Sequence, residues 1–546
     1  MLIQNVKKRK KAGKDKSRSR QSVRRKFVLC CFVIVFTFAS AACRSPQKIA
    51  MRSLLPNNAV AYLETDDLAK TLESLTGSPA FEELAVEKPD FLSLENMQIA
   101  VIVTGFQTSE ENSVLNFKPQ FVAVAETHAW SWQTVSFVEN QLDSFVRKNY
   151  GADAALETRE KDNGKFFGWT GSDGRKVFAF VKDSLIYFGN DAATIEKCPA
   201  VKKGETESLL KNEFLTRVYS ENNLAFGYVS LEGIKQIAEL AGVSAAVETT
   251  DESSGRSFIA RVLPQVLRNT TNEIIWTANK NERGVEDKIF VSLKTEAASV
   301  FNETLAASTP PATNSFEFLP ADFSSVTRYN LKNPLISWRS LLLVAAENTD
   351  LISRRFLIEF SGSLLEPYGI SNAESFLNSI ESEILTAQFD AENEKTVVIV
   401  GVKDPENTKK AIAAEINFKS EPETQFNARI WFSEDKQIAA AFVENKLILG
   451  ATEYVLKCLQ AKQNNQNFTK NRNFQKLSDS ESVAVTFGKD FDTAEKIVSV
   501  LGKKKDENRK PATFYSTETR FTETGVERKT VSDFGFIGTI LKQLKQ

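Results

Sequence analysis

One histidine, His128, stands in a chain of 546 residues. It lies in "ETHAWSWQ", with Trp130 and Trp132 close behind. An imidazole beside two indoles could contact a glycan, a peptide or a lipid group, the rings giving flat apolar faces and His128 a polar handle. The same residues suit a strand-to-helix turn whose indoles cover a core, and aromatic bulk favours that expectation. A lone histidine also leaves a His-rich zinc site or a Ser-His-Asp triad almost no material. The sequence contains no G-x-S-x-G elbow, H-E-x-x-H helix, P-loop, G-x-G-x-x-G turn or EF-hand loop. Cys198 and Cys458 could form a redox pair or bind metal. Neither has a histidine or second cysteine beside it, so each reads as a small buried hydrophobe. Asp66-Asp67 could be an acid/base pair, but reads as a helix cap. "GKKKDENRK", Gly502 to Lys510, reads as a solvated turn. No catalytic residue, metal site or cofactor is assigned.

Charge is unevenly spread. Residues 1–43 hold 12 Lys/Arg and one Asp; the remaining 57 basic and 69 acidic residues leave a net charge near −12. An acidic body has no electrostatic footprint for nucleic acid. The basic head ends at Lys26, an apolar run spans Phe27 to Phe38, and small residues lead to Cys43. That order is an export signal, with an apolar run too short to span a bilayer comfortably. "SAAC" resembles a bacterial lipobox, which would make Cys43 the lipid attachment site and the mature N-terminus. Ser40 stands where Leu is usual, and the basic head is long. Ala39-Ser40-Ala41 also suits an ordinary signal peptidase, and an uncleaved anchor stays open. Only Cys198 and Cys458 lie beyond Cys43, too few for a disulfide-built scaffold.

The elements come in two matching sets. "FVKDSLIYFGNDAATIEKC" ends at Cys198 and "FVENKLILGATEYVLKC" at Cys458, 260 residues later. Gly242 and Gly502 are also 260 apart, and Pro56 and Pro320 264 apart. "GVEDKIFVSLK" at Gly284 and "GVERKTVSDFG" at Gly525 make a fourth pair. The last two anchors are 42 residues apart in the first set and 23 in the second, a difference of 19. The extra stretch contains "ETTDESSGRS" and reads as a surface insertion. Self-similarity on this scale predicts a duplicated domain. "STPPATNS", Ser308 to Ser315, reads as a linker. The expected organisation is an export signal over 1–43, a first copy over 44–307, the linker over 308–315 and a second copy over 316–546, the halves folding separately.

Each copy mixes hairpins and helices. "VFAFVK" and "LIYFG" pair across Asp183-Ser184; "IAAAFVE" and "LILG" pair across Asn445-Lys446. Val135, Val138, Leu142 and Phe145 recur at helical spacing and Gly151 is a stop. Asp404-Pro405 is a cap followed by a first-turn proline. Runs of hairpins between isolated helices predict an α+β fold with mainly antiparallel sheet. The opener "LLPNNAVAYL" with its "DDL" helix, the "FVENKLILG" hairpin and the closing "GVE" hairpin resemble an uncharacterised family of exported bacterial proteins and lipoproteins, known as a domain of unknown function. The resemblance implies an envelope location and repeated domains, and transfers no catalytic residue. The second opener, "SSVTRYNLKNPL", lacks the Asp pair.

The expected function is therefore binding or structural interaction by an envelope protein held at the membrane through an N-terminal lipid or anchor. In a two-membrane host, Arg44 after Cys43 points to the outer membrane. The expected partner is an envelope protein or a glycan, not nucleic acid. A hydrolase built on carboxylates would need a cleft gathering Asp or Glu with raised pKa. A folding or assembly factor would need exposed apolar surface.

Overall fold

In a computed structural model, residues 48–111, 114–218, 223–248, 254–308, 314–390, 395–471, 481–490, 492–505 and 513–543 are described. The export segment with Cys43, residues 309–313 of the linker and Phe491 lie outside them. Residues 50–546 form one compact unit, which holds the sheet and its helices.

The fold is α+β, built on one large antiparallel sheet. Among the described residues ten strands come first: β1 (Ala61–Thr65), β2 (Gln98–Glu111), β3 (Val114–Glu126), β4 (Ala155–Lys161), β5 (Gly164–Thr170), β6 (Lys176–Lys182), β7 (Leu185–Gly189), β8 (Ala225–Val229), β9 (Thr271–Asn281) and β10 (Gly284–Leu293). Ten more follow: β11 (Ser325–Asn330), β12 (Ile380–Gln388), β13 (Thr396–Val402), β14 (Glu423–Gln425), β15 (Ala428–Phe432), β16 (Ile438–Val443), β17 (Lys446–Ala451), β18 (Ala484–Asp490), β19 (Thr513–Thr522) and β20 (Gly525–Ser532). The first ten pair in the order 4-5-6-7-3-2-1-8-9-10. The second ten repeat it, as 14-15-16-17-13-12-11-18-19-20.

β10 pairs with β20 and makes the sheet continuous. The register is reciprocal: Lys288 faces Lys529, Val285 faces Ser532 and Ser292 faces Gly525. Gly284 and Gly525, the glycines of the two "GVE" sequences, take positive φ, and a side chain on either would strike the backbone of the opposite half. At β13 both sheet faces are covered. Val397 and Ile399 of β13 point into one apolar cluster while Val398, Val400 and Val402 point into another.

Separately folded halves are not what the structure contains. A third cluster holds Leu75, Phe81, Trp276 and Val285 from the first half together with Ala494, Ile497, Val498 and Phe534 from the second. Ala494, Ile497 and Val498 form the buried apolar face of the Thr493–Leu501 helix, and it closes the other half's core.

Local signals act as their chemistry requires. Asp67 caps the Leu68–Thr76 helix by accepting from Lys70 N at 3.1 Å. Asn333 does the same for Pro334–Glu347, accepting from Ile336 N at 3.1 Å, so the second opener replaces the Asp pair with another cap. Asp404 caps Pro405–Ala411. Two expectations are corrected. The second hairpin turns at Glu444-Asn445, with Glu444 at φ 53°, and Lys446 lies in β17, paired with Val443 and buried. The helix after β3 contains a π turn over Val138–Leu142. The added residue rotates the following turn, so Val146 is buried and Phe145 faces out. Of the stretch read as a surface insertion in the first half, residues 249–253 lie outside the described residues, and its end opens the Ser254–Thr270 helix.

Candidate functional site: an apolar helical face

Two helices from the second half, Pro334–Glu347 and Leu351–Phe360, pack on each other and against Ser254–Thr270 from the first half. Asp350 starts the Leu351–Phe360 helix. Its Oδ1 accepts from Ile352 N at 3.0 Å and Ser353 N at 2.9 Å, and its Oδ2 accepts from the Ser353 hydroxyl at 2.8 Å. The Ser353 N–H and hydroxyl hold the Asp350 carboxyl down to about 2. Gln265 bridges from the first half: its Oε1 accepts from Asp350 N at 2.9 Å and its Nε2 donates to Ser353 Oγ at 3.3 Å. Asn269 Nδ2 donates to the Asn348 carbonyl at 2.7 Å. The junction of the three helices is therefore fixed by directional bonds.

Their burial pattern is unlike that of an ordinary surface helix, which turns its apolar stripe inward. On Leu351–Phe360 the inward positions are Ser353 and Leu357. Leu351 is 80% exposed, Ile352 62% and Ile358 66%, with Phe356 also exposed. On Pro334–Glu347, Ser337 and Ser340 are buried while Ile336, Leu341 and Leu343 face out. Leu263 and Leu267, one turn apart on Ser254–Thr270, are exposed as well. Burying any one of these aliphatic side chains fully is worth roughly 1.5–3 kcal/mol, a gain left unused in the isolated chain. Sequence periodicity did not reveal this face, because apolar residues occur all round "LISRRFLIEF" and the burial of Ser337 and Ser353 depends on tertiary packing.

The carboxylate reading meets a different arrangement. A cavity of about 290 Å³ lies beside the β10–β20 seam, lined by Asp287, Asp490, Tyr515, Arg528 and Asp533 among others. Burial raises the Asp287 and Asp533 carboxyls above the usual range. Asp287 has both oxygens engaged: Oδ1 accepts from Trp276 Nε1 at 2.8 Å and Oδ2 from Phe536 N at 2.8 Å. Asp533 accepts from Phe514 N at 3.0 Å. Burial pushes the Asp490 carboxyl up, but the hydroxyl and N–H of Thr493 outweigh it and hold the group low. These groups latch strands to helix starts. Asp287, in particular, ties the first half to the start of the Gly535–Gln543 helix.

The residues singled out from sequence are distributed differently. Trp130 is 75% exposed and Trp132 70%, which overturns their expected role as a lid on the core. Trp130 is the extended residue just before the Ser131–Phe137 helix and Trp132 lies in its first turn. His128 takes φ 52°; its N–H donates to Glu126 Oε1 at 2.8 Å, while its buried Nε2 has no hydrogen-bond partner. Trp130→Ala is expected to change unfolding free energy by no more than ~0.5 kcal/mol in urea titration.

Cys198 and Cys458 are free and buried at matching places in Ala192–Lys202 and Thr452–Gln463. Burial pushes the Cys198 thiol up to about 12 and raises that of Cys458 as well. Neither is expected to react with a thiol reagent at pH 8 until the fold is denatured; labelling at the native rate of a free peptide would contradict their burial. Among the described residues no group of three or more His, Cys, Asp or Glu could hold a metal ion, and no helix is long and apolar enough to cross a membrane.

No family model and no curated protein matches the chain. Two solved structures show a slight likeness. Crystal form I of TP0453 is 8% identical, with a TM-score of 0.21 over 43% of this chain and 99% of that one. The DNA polymerase III beta chain of Streptococcus pneumoniae is 10% identical, with a TM-score of 0.08 over 86% of this chain and 99% of that one. Neither likeness bears on fold or function.

Proposed function

We propose that this chain is an exported bacterial envelope protein, built by duplication of one α+β domain and held at the membrane by a lipid on Cys43 or by its uncleaved apolar segment. It acts by binding, through the face formed by Ser254–Thr270, Pro334–Glu347 and Leu351–Phe360. The observation that carries the reading is the exposure of Leu351, Ile352 and Ile358 on a helix that buries Ser353. Three exposed aliphatic side chains around one helix, joined by those of its neighbours, mark an interaction surface. The order of basic head, apolar run and Cys43 supports export. The matching strand orders and the four sequence anchors support duplication, with boundaries at 44–307 and 316–546. The engagement of Asp287 and Asp533 in structural hydrogen bonds favours binding over carboxylate hydrolysis.

A photoreactive amino acid at Ile352, in the full chain in its own envelope, tests this. Cross-linking is expected well above that from the same group at Leu156, on edge strand β4. Equal yields at the two positions would remove the binding face.

A further inference from the structure

We infer that this face seats on the lipid surface of a bilayer rather than in a groove of a protein partner; the inference rests on the binding role proposed above. The mixture of side chains suits a membrane interface. Arg355 is highly exposed among Leu351, Ile352, Phe356 and Ile358, and pairs with Glu359 at 3.2 Å. At such an interface the aliphatic groups enter the acyl boundary while a long guanidinium stem reaches back to the headgroups.

The exposure of the face points the same way. Leu343, Leu351 and Ile358 are each more than half exposed, standing out from helices packed side by side and not sunk between them. Leu263 and Leu267 extend the same apolar character onto the helix that Gln265 joins to Asp350. A peptide-binding groove presents anchors in a concave trough; a helix lying in the interface presents them outward.

The tether adds a third reason. If Cys43 carries the lipid, residues 44–50 are the whole leash before Met51, which is buried in the folded body. Seven extended residues reach at most ~25 Å. A leash of that length keeps the body within reach of the bilayer, where an apolar face gains from contact. Charge plays little part, because the chain beyond Cys43 is acidic. Seating should therefore persist on zwitterionic lipid and respond weakly to salt.

The test uses the full chain in phosphatidylcholine vesicles containing lipid brominated near the headgroup end of its chains. Phe356→Trp places an indole on the face, and Leu156→Trp places one on β4. The indole added at position 356 is expected to be quenched at least ~2-fold more than that at position 156, and adding Ile352→Asp and Ile358→Asp should abolish the excess. Raising salt to 1 M should leave it in place. Equal quenching at positions 356 and 156 would overturn the inference. If the photoreactive group at Ile352 still captured protein in the envelope, the binding role would survive with a protein occupant. Absence of both signals would sink both.

Discussion

Asp287→Ala is expected to destabilise the protein by roughly 2–5 kcal/mol, because it leaves two buried donors unpaired at once. Asp287 is 4% exposed. Its carboxylate accepts from the indole of Trp276 and from the Phe536 backbone, 249 residues away. Trp276 in turn meets Phe536 edge-on, with ring centroids 5.2 Å apart. Removing the carboxylate frees the start of the Gly535–Gln543 helix and empties space beneath a buried indole. Asp287→Asn can satisfy only one of the two donors with its single amide oxygen, and should fall between wild type and Ala. Urea unfolding followed by fluorescence would check the series. An Ala variant within ~0.5 kcal/mol of wild type, inside the range of ordinary surface changes, would show that the latch contributes nothing.

The second large effect concerns the halves. Brief proteolysis within Ser308–Ser315 is expected to cut the chain, yet both pieces should co-elute until denaturant is added. Separating them would pull β20 from β10 and return Ile497, Val498, Phe534 and Trp276 to water. At roughly 1.5–3 kcal/mol for each large side chain, that loss rivals the ~5–15 kcal/mol of a typical domain. Residues 316–546 expressed alone should therefore aggregate or pair through the exposed β20 edge. A monomeric, cooperatively unfolding half would contradict this.

Much of the fold was legible because it rests on local chemistry. Asp183 turns a hairpin at φ 57° and Gly151 stops a helix at φ 109°. Asp67 and Asp404 cap the helices that follow them. The "GVE" sequences mark where β10 and β20 begin, but nothing in either strand announces that they pair with each other. Long-range pairing of that kind leaves no periodic signal. For the same reason Asp287 reads as one charge in "GVEDKIF", while its partners lie on β9 and on the final helix. The π turn after Val138 hid the exchange of Phe145 for Val146, since a helical period assumes one turn size throughout. Trp130 misled because aromatic bulk predicts burial only on average. The apolar face was illegible for a deeper reason: Ser353 and Ser337 face inward against polar and small neighbours, so the sequence of Leu351–Phe360 describes an ordinary half-buried helix turned the wrong way round.

Hydrogen exchange of the full chain in its native envelope membranes tests the central claim most directly. The comparison is wild type against the Ile352→Asp, Ile358→Asp double variant, whose substitutions lie at exposed positions and leave the core untouched. Amides of Ser254–Thr270 and Leu351–Phe360 are predicted to exchange more slowly in wild type, with β4 and the Ala192–Lys202 helix unchanged between the two. Identical rates throughout those helices would mean that nothing covers the face in the envelope, and that the protein acts through some other surface.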